Sequence, residues 1–374
     1  MKQFSSLVRV ASRDMGAGRT WRWRTAWRQA LYGEHGFAVA PGNLPRGHFS
    51  TAAEDPTMAE LVAAELTRVA RRLDRQSPGN VDLVDAGAGG GELLAGVLAA
   101  AEPTLVARTR ATAIDFRAAP DGYLASFGDV PVAGGTASSA GRRAERGPAT
   151  VRWRRGDASV ECPPTRGLIV AHELLDDVPC DVAVLRHEGW RYLAVDLAGD
   201  EVVDGPVEPS DARWLQRWAG DARLADRVEI GRPRDEIAVA LASHLTCGRL
   251  IIIDYATSAD QRRRLHPDGT LTGYRNGHQC RPRPDGTMNL TAHVAIDSVV
   301  EALSSVGHVR LGTVADAADR HLVESHGSSA GPDGGHGPPV LPFAERMRWA
   351  RVRDRGSWGG FAWLSLDRWD TGGT

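Results

Sequence analysis

Val81-Asp82-Leu83-Val84-Asp85-Ala86-Gly87-Ala88-Gly89-Gly90-Gly91-Glu92-Leu93-Leu94 is the stretch whose reading decides the fold. A short apolar run, an acid, a glycine-rich corner and the start of a helical pattern read as strand, turn and helix. The alternate glycines Gly87, Gly89 and Gly91 let backbone approach a ligand closely, and the following helix would aim its N-terminal N–H groups at it. Glycine corners of this kind are also built for packing alone, so the details around them decide. A dinucleotide fingerprint G-x-G-x-x-G/A started at Gly87 needs a small residue where Glu92 stands, and started at Gly89 needs one where Leu94 stands. Both registers fail. Asp85, immediately before the glycines, is placed to meet a cation or a hydrogen-bond donor. S-adenosylmethionine, with its ammonium and sulfonium, is such a ligand.

Bulk composition narrows the partners. The chain has 374 residues, enough for one large domain or two ordinary ones, and a net charge of −2. That balance provides no electrostatic footprint for nucleic acid or an anionic membrane. Lys2 is the only lysine among 45 basic residues, which argues against lysine-based catalysis and points to a GC-rich, bacterial source. Cys162, Cys180, Cys247 and Cys280 show no C-x-x-C spacing, so neither a zinc knuckle nor a disulfide framework is expected. No apolar run approaches the roughly 18 residues that span a bilayer. A reducing cytoplasm is the expected setting. The arginines Arg9, Arg13, Arg19, Arg22 and Arg24 read as a basic helical arm rather than a presequence.

Working outward, Trp23, Trp27, Ala30 and Leu31 share one helical face that ends at Gly33, a packing stripe. Asp55-Pro56 reads as an N-cap with proline at the first helical position, followed by Met58, Leu61, Val62, Leu66, Val69 and Leu73 at helical spacing. After the glycine corner and its helix, Thr112–Phe116 reads as a second strand. Its acid, Asp115, lies 28 residues after Gly87, near the roughly 20-residue spacing at which a strand-end acid meets ribose hydroxyls. Residues 117–150 read as a long loop. Gly167–Ala171 is a buried-type strand that delivers His172-Glu173-Leu174-Leu175-Asp176-Asp177-Val178-Pro179 at its carboxyl end, where open α/β sheets bind ligands. Val182–Arg186 and Trp190–Leu197 read as a hairpin, Asp211–Trp218 as a short helix, Ile237–Leu245 as a helix and Arg249–Tyr255 as a strand. Residues 257–290 read as a loop, Asp297 starts a helix, Gly327–Pro339 is a linker and Phe361–Leu366 a terminal strand.

The expected fold is α/β. Residues 1–76 form an N-terminal helical segment on the core, and 77–323 the ligand-binding domain with a hairpin and helix inserted at about 182–232. Residues 324–340 form the linker, and 341–374 complete the domain.

Six blocks together resemble one family: His48-Phe49-Ser50-Thr51-Ala52-Ala53-Glu54, Val84–Leu94, His172–Pro179, Ile253-Asp254-Tyr255, Gly269-Thr270-Leu271 and Leu290-Thr291-Ala292-His293-Val294. In this order they look like the MidA-like S-adenosylmethionine-dependent methyltransferases, which include a mitochondrial complex I assembly factor that methylates arginine; a bacterial branch is the most similar. The resemblance spans about residues 20–310. It implies a class I methyltransferase, a Rossmann-like, mostly parallel sheet with helices on both faces and inserted covering elements. It also implies that Asp85, Gly87, Gly89 and Gly91 hold the methionine end of the cofactor and Asp115 its ribose. His172 is assigned to the same cofactor-binding set. Where the family has Asn-Glu-x-x-Asp-Ala-x-Pro, this chain has His172 first and Asp177 in place of alanine, while Glu173, Asp176 and Pro179 match. His48 replaces an aspartate, and Asn289 another before Leu290. These departures fall on the substrate side.

Methyl transfer is an in-line displacement, for which the protein must exclude water, align the acceptor and take its proton. Glu173 and Asp176, three apart, could grip an arginine guanidinium by bidentate hydrogen bonds; alternatively one contacts cofactor or backbone and the other caps a helix. Glu173, Asp176 and His293 are the candidate catalytic residues. His172 and His293 could be general bases for a hydroxyl or carboxyl acceptor, or satisfied core histidines. No metal site is expected, since the His172, Glu173, Asp176 and Asp177 spacing matches no zinc or calcium motif. The leading expectation is methylation of a protein arginine, with a small-molecule oxygen or nitrogen second. A non-catalytic cofactor-binding scaffold is the contrasting class, and Glu92 disfavours an NAD-dependent oxidoreductase.

Overall fold

The computed structural model describes residues 19–40, 51–127, 150–326, 329–330, 336–337 and 341–369. Several sequence expectations lie outside those residues: the arginines at 9 and 13, the block from His48 to Ser50, residues 128–149 and most of the 327–340 stretch. The chain divides into two compact units. One contains Met1–Phe49, Pro179–Ile230 and Arg263–Ala292; the other contains Ser50–Val178, Gly231–Arg262 and His293–Thr374.

The larger unit is built on a seven-stranded sheet: β1 (Val81–Ala86), β2 (Thr109–Asp115), β3 (Thr150–Arg155), β4 (Thr165–His172), β5 (Leu245–Asp254), β6 (His308–Thr313) and β7 (Ala362–Arg368). Their order is β6-β7-β5-β4-β1-β2-β3. β3, β2, β1, β4 and β5 pair in parallel, and β7 runs antiparallel to both β5 and β6. Strand order reverses between β1 and β4, and this switch point is where open α/β sheets bind ligands at their carboxyl ends.

Strand periodicity of two explains the layers. Leu83, Ala113, Leu168, Ile251 and Trp363 enter one core with Leu66 and Val69 of α1 (Pro56–Gln76), Leu94 and Val97 of α2 (Glu92–Ala100) and a helix at Val314–His326. Their neighbours Val84, Ile114, Ile169, Ile252 and Leu364 enter a second core with Leu241 of α3 (Arg232–His244) and Val299 of α4 (Ile296–Ser304). Both faces of the sheet are therefore covered, which is why its central strands read as apolar runs instead of alternating. Helix α1 starts as its sequence predicts: Asp55 accepts from the Thr57 amide at 2.9 Å and Pro56 takes the first turn.

The smaller unit gathers its core around the tryptophan helix, Trp23–Tyr32. Trp23, Trp27 and Leu31 are fully buried against Val182, Val184, Val195 and Leu290. The Trp27 indole donates to the Leu290 carbonyl at 3.0 Å, so a large apolar ring is buried without orphaning its N–H. Val182–Arg186 and Gly189–Val195 form the expected hairpin, turning at His187-Glu188.

Differences from the sequence expectation include three regions, besides unexpected strands at Glu201–Pro206 and His308–Thr313 and helices at Phe343–Arg348 and Ala350–Arg353. Residues 257–290 carry a helix, Ala259–Leu265, and two strands, Thr272–Arg275 and His278–Cys280. Asn289–Thr291 pairs with the first of these strands, and polar turns between three- and four-residue strands leave no detectable period. Strand β3 ends the supposed 117–150 loop; its Thr-Val-Arg-Trp-Arg-Arg pattern is that of an edge strand, charged where it faces water. The helix at Val314–His326 runs into the expected linker, and Ser329–Ala330 pairs with His336–Gly337 beyond it.

Candidate active site

All the expected site residues that the structure describes lie in the larger unit, at or just beyond the carboxyl ends of β1, β2 and β4, except His293, which lies in the segment entering α4. Strand β1 ends in Asp85, whose side chain is buried and whose Oδ2 has no hydrogen-bond partner among the described residues. Burial, and then the Asp115 charge, push its carboxyl up to about 7. Gly87, Gly89 and Gly91 have φ of 82°, 58° and 85°, the left-handed region that a side chain strains. The Gly89 amide donates to Asp115 Oδ2 at 2.9 Å and the Arg117 amide to Oδ1 at 2.8 Å, so the β2 acid is tied directly to the corner. A buried carboxylate oxygen without a donor, beside open backbone, suits a ligand with an ammonium and hydroxyls. These residues therefore fit S-adenosylmethionine.

Beyond β4, the Glu173 amide donates to the Ile253 carbonyl at 2.9 Å, extending the ladder by one residue. The chain then leaves the sheet with Glu173 at φ 47°, a conformation that costs a non-glycine residue about 1–3 kcal/mol. Leu174 lies against the glycine corner: a Cβ on Gly87 would stand 2.8 Å from its Cδ1. The Glu173 carboxylate accepts from the Ala52 amide at 3.2 Å. Burial first, and Asp176 second, raise its carboxyl to about 7.

Asp176 and Asp254 complete the acidic group. The Tyr255 hydroxyl donates to Asp176 Oδ2. Asp254 Oδ2 accepts from the amides of Leu175 and Asp176 at 2.9 and 3.3 Å, while its buried Oδ1 has no partner among the described residues. Burial and the Asp176 charge hold Asp254 well above the usual carboxylate range, with Arg234 opposing. Arg234, buried on α3, donates to the carbonyls of Asp176 (2.8 Å), His293 (2.7 Å) and Val178 (3.4 Å). It thus fixes the loop after β4 and the segment entering α4 to one planar fork.

His172 is buried, its Nε2 lies 3.8 Å from Glu173 Oε1, and burial lowers it to about 4, so it is neutral at pH 7. That Nε2 has no hydrogen-bond partner among the described residues. The His293 ring meets Tyr255 edge to face with centroids 5.6 Å apart. Asp176 and His293 thus come together through Tyr255 and Arg234, and Glu173 lies close enough to Asp176 for the two charges to act on each other. Asp85 and Asp115 meet at the glycine corner, with His172 on the next strand, on the same sheet face as Asp85. Sequence reasoning missed Arg234, Asp254 and Tyr255 as site residues. The available signal was Asp254 itself, an acid ending an isoleucine strand next to the switch point.

A family model described as "Putative S-adenosyl-L-methionine-dependent methyltransferase" matches residues 61–314. Among solved structures, a Burkholderia thailandensis protein bound to S-adenosylhomocysteine is similar at 19% identity and a TM-score of 0.67, covering 94% of this chain and 89% of its own. A native structure, also from Burkholderia thailandensis, gives a TM-score of 0.65 at 19% identity, with 94% and 88% covered. Both likenesses bear on the fold. No curated protein matches the chain.

Proposed function

The chain belongs to the family of S-adenosylmethionine-dependent methyltransferases, and from that premise we propose that it methylates a protein arginine. The observation that carries the choice of acceptor is the pair of Asp176, buried, and Glu173, mostly buried with 15% of its side chain exposed, on a loop whose Leu174 lies against the glycine corner. S-adenosylmethionine supplies a methyl carbon activated by its sulfonium. Asp85, Gly87, Gly89, Gly91, Asp115 and His172 hold that cofactor at the ends of β1, β2 and β4. Glu173 and Asp176 grip the guanidinium, orient one nitrogen and draw positive charge away from it. The Glu173 carboxylate, whose acid form is raised to about 7, would take the nitrogen's proton as that nitrogen displaces the thioether sulfur from the methyl carbon. Tyr255 and Arg234 hold the side chain and backbone of Asp176 in place, and the resemblance to a family that includes an arginine-methylating assembly factor supports the same acceptor.

One observation favours a second reading. Neutral His172, whose Nε2 beside Glu173 has no partner among the described residues, suits a general base for a small-molecule hydroxyl or carboxyl. The cytoplasm is the setting we infer, in keeping with four free cysteines. Among the described residues no helix is long and apolar enough to cross a membrane.

The test is transfer of labelled methyl from S-adenosylmethionine into lysate of a strain lacking the gene. Label recovered as methylarginine in protein is the expected result. Label confined to small molecules supports the second reading, and cofactor binding without transfer would make the chain a scaffold.

A further inference from the structure

Tyr123 belongs to neither the sequence motifs nor the carboxylate group, yet it closes over the glycine corner. Its hydroxyl donates to the Gly91 carbonyl at 3.1 Å, and its ring covers the Gly91 α-carbon so closely that a Cβ there would overlap it. The ring is held edge to face by Phe127 and Trp153, with centroids 5.2 and 5.3 Å away. The Trp153 indole in turn donates to the Arg117 carbonyl at 3.0 Å, next to the amide that binds Asp115. Tyr123 therefore stands on a braced wall running from the β2 acid to the start of α2. The nearby acids are Asp85 and Glu92, and together with burial they keep the phenol protonated, a donor. Asp85, near enough for its charge to act on the phenol, has its Oδ2 buried and without a donor among the described residues.

A donor and a carboxylate oxygen without a partner among the described residues, both beside one backbone cradle, are the complement of a zwitterion. Resting on the methyltransferase reading, we infer that Tyr123 is a positioning residue for the amino-acid tail of the cofactor. Its hydroxyl turns from the Gly91 carbonyl to the tail's carboxylate, while Asp85 receives the ammonium. The site thereby selects adenosyl ligands that carry an intact amino acid over those that end at the sulfur.

Two probes separate the tail from the nucleoside: S-adenosylhomocysteine, and 5′-methylthioadenosine, which lacks the amino acid. Tyr123→Phe keeps the ring against Gly91, Phe127 and Trp153 and removes only the donor. Calorimetry on the wild type should show much tighter binding of S-adenosylhomocysteine. In Tyr123→Phe that affinity should fall about tenfold, the usual loss for one hydrogen bond to a charged group, with 5′-methylthioadenosine unchanged within about twofold. An equal fall for both probes would make Tyr123 a wall of the nucleoside site or a packing residue, and no fall for either would remove it from the site; each overturns the inference. Failure of the wild type to bind either probe would instead overturn the cofactor reading, and this assignment with it.

Discussion

Tyr255 donates its hydroxyl to Oδ2 of Asp176, across from the amides of Leu175 and Asp176 that Asp254 receives. One residue of β5 and the tyrosine following it therefore set both the backbone and the side chain of Asp176. Burial and the surrounding carboxylates raise the Tyr255 phenol far above its ordinary value, so it remains a donor throughout the working pH range. Removing the hydroxyl leaves a buried carboxylate short of a donor, a cost of about 1–3 kcal/mol. Tyr255→Phe is expected to slow methyl transfer roughly 10- to 100-fold while S-adenosylmethionine affinity, measured by calorimetry, stays within about twofold.

Glycine geometry makes the second prediction. Gly89 sits at φ 58° with its amide committed to Asp115, so Gly89→Val adds a β-branched side chain where neither the backbone nor a ligand tolerates it. We expect no measurable calorimetric heat with S-adenosylmethionine and an unchanged far-ultraviolet circular dichroism spectrum. Wild-type affinity in this variant would show that the cofactor lies elsewhere.

Stability against pH follows from the same burial. Asp85 and Glu173 reach about 7 in the folded chain, above their ordinary values of 3.8 and 4.5. The native state thus keeps protons that the unfolded chain has released, and its stability falls as pH rises towards and through about 7. His172, lowered to about 4, acts in the opposite sense, adding stability as pH rises from about 4 to 6.5. The two effects oppose each other in acid, and only the carboxyl loss remains above about 6.5. Without cofactor, Tm should decline between pH 6.5 and 8. Asp85→Asn, which removes one buried charge, should flatten that decline and raise Tm at pH 8, by about 1–2 °C per kcal/mol recovered, while weakening S-adenosylmethionine binding. A Tm at pH 8 no higher than wild type would contradict the buried state of Asp85.

Removing the Asp176 charge tests the coupling of the acids. Asp176→Asn can still accept from the Tyr255 hydroxyl through its carbonyl oxygen, but the like charge that helps to raise the Glu173 carboxyl is gone. If ionised Glu173 is the working form, transfer rises with pH through about 7 in the wild type and its acidic limb moves to lower pH in the variant. A limb that stays in place, or moves towards alkali, would exclude Glu173 as the group it reports.

Much of this was legible because it is local. Asp85, its glycines and Glu92 lie within eight residues, and a strand-turn-helix corner needs no distant partner to be recognised. Asp55-Pro56 and the Trp23, Trp27, Leu31 stripe are likewise written in adjacent turns. Strand β3 was hidden because edge position lets Arg152, Arg154 and Arg155 replace the apolar alternation on which the reading depends. Arg234 and Tyr123 were hidden for another reason. Arg234 holds carbonyls 56 to 59 residues away, and Tyr123 holds Gly91 from 32 residues away, at contacts made only by the folded sheet. Glu173 and Asp176 were visible as a pair three apart, but the left-handed turn at Glu173 and the ties to Ala52 and Tyr255 were not.

The most direct test of the acceptor site is the rate of labelled methyl transfer by Glu173→Gln at saturating S-adenosylmethionine. Glutamine preserves the size of the side chain and can accept from the Ala52 amide, but it can neither carry the charge nor take the proton. We expect transfer to drop at least about 100-fold, within the range for loss of a general base, with cofactor Kd unchanged. Transfer within a few-fold of wild type would contradict the account.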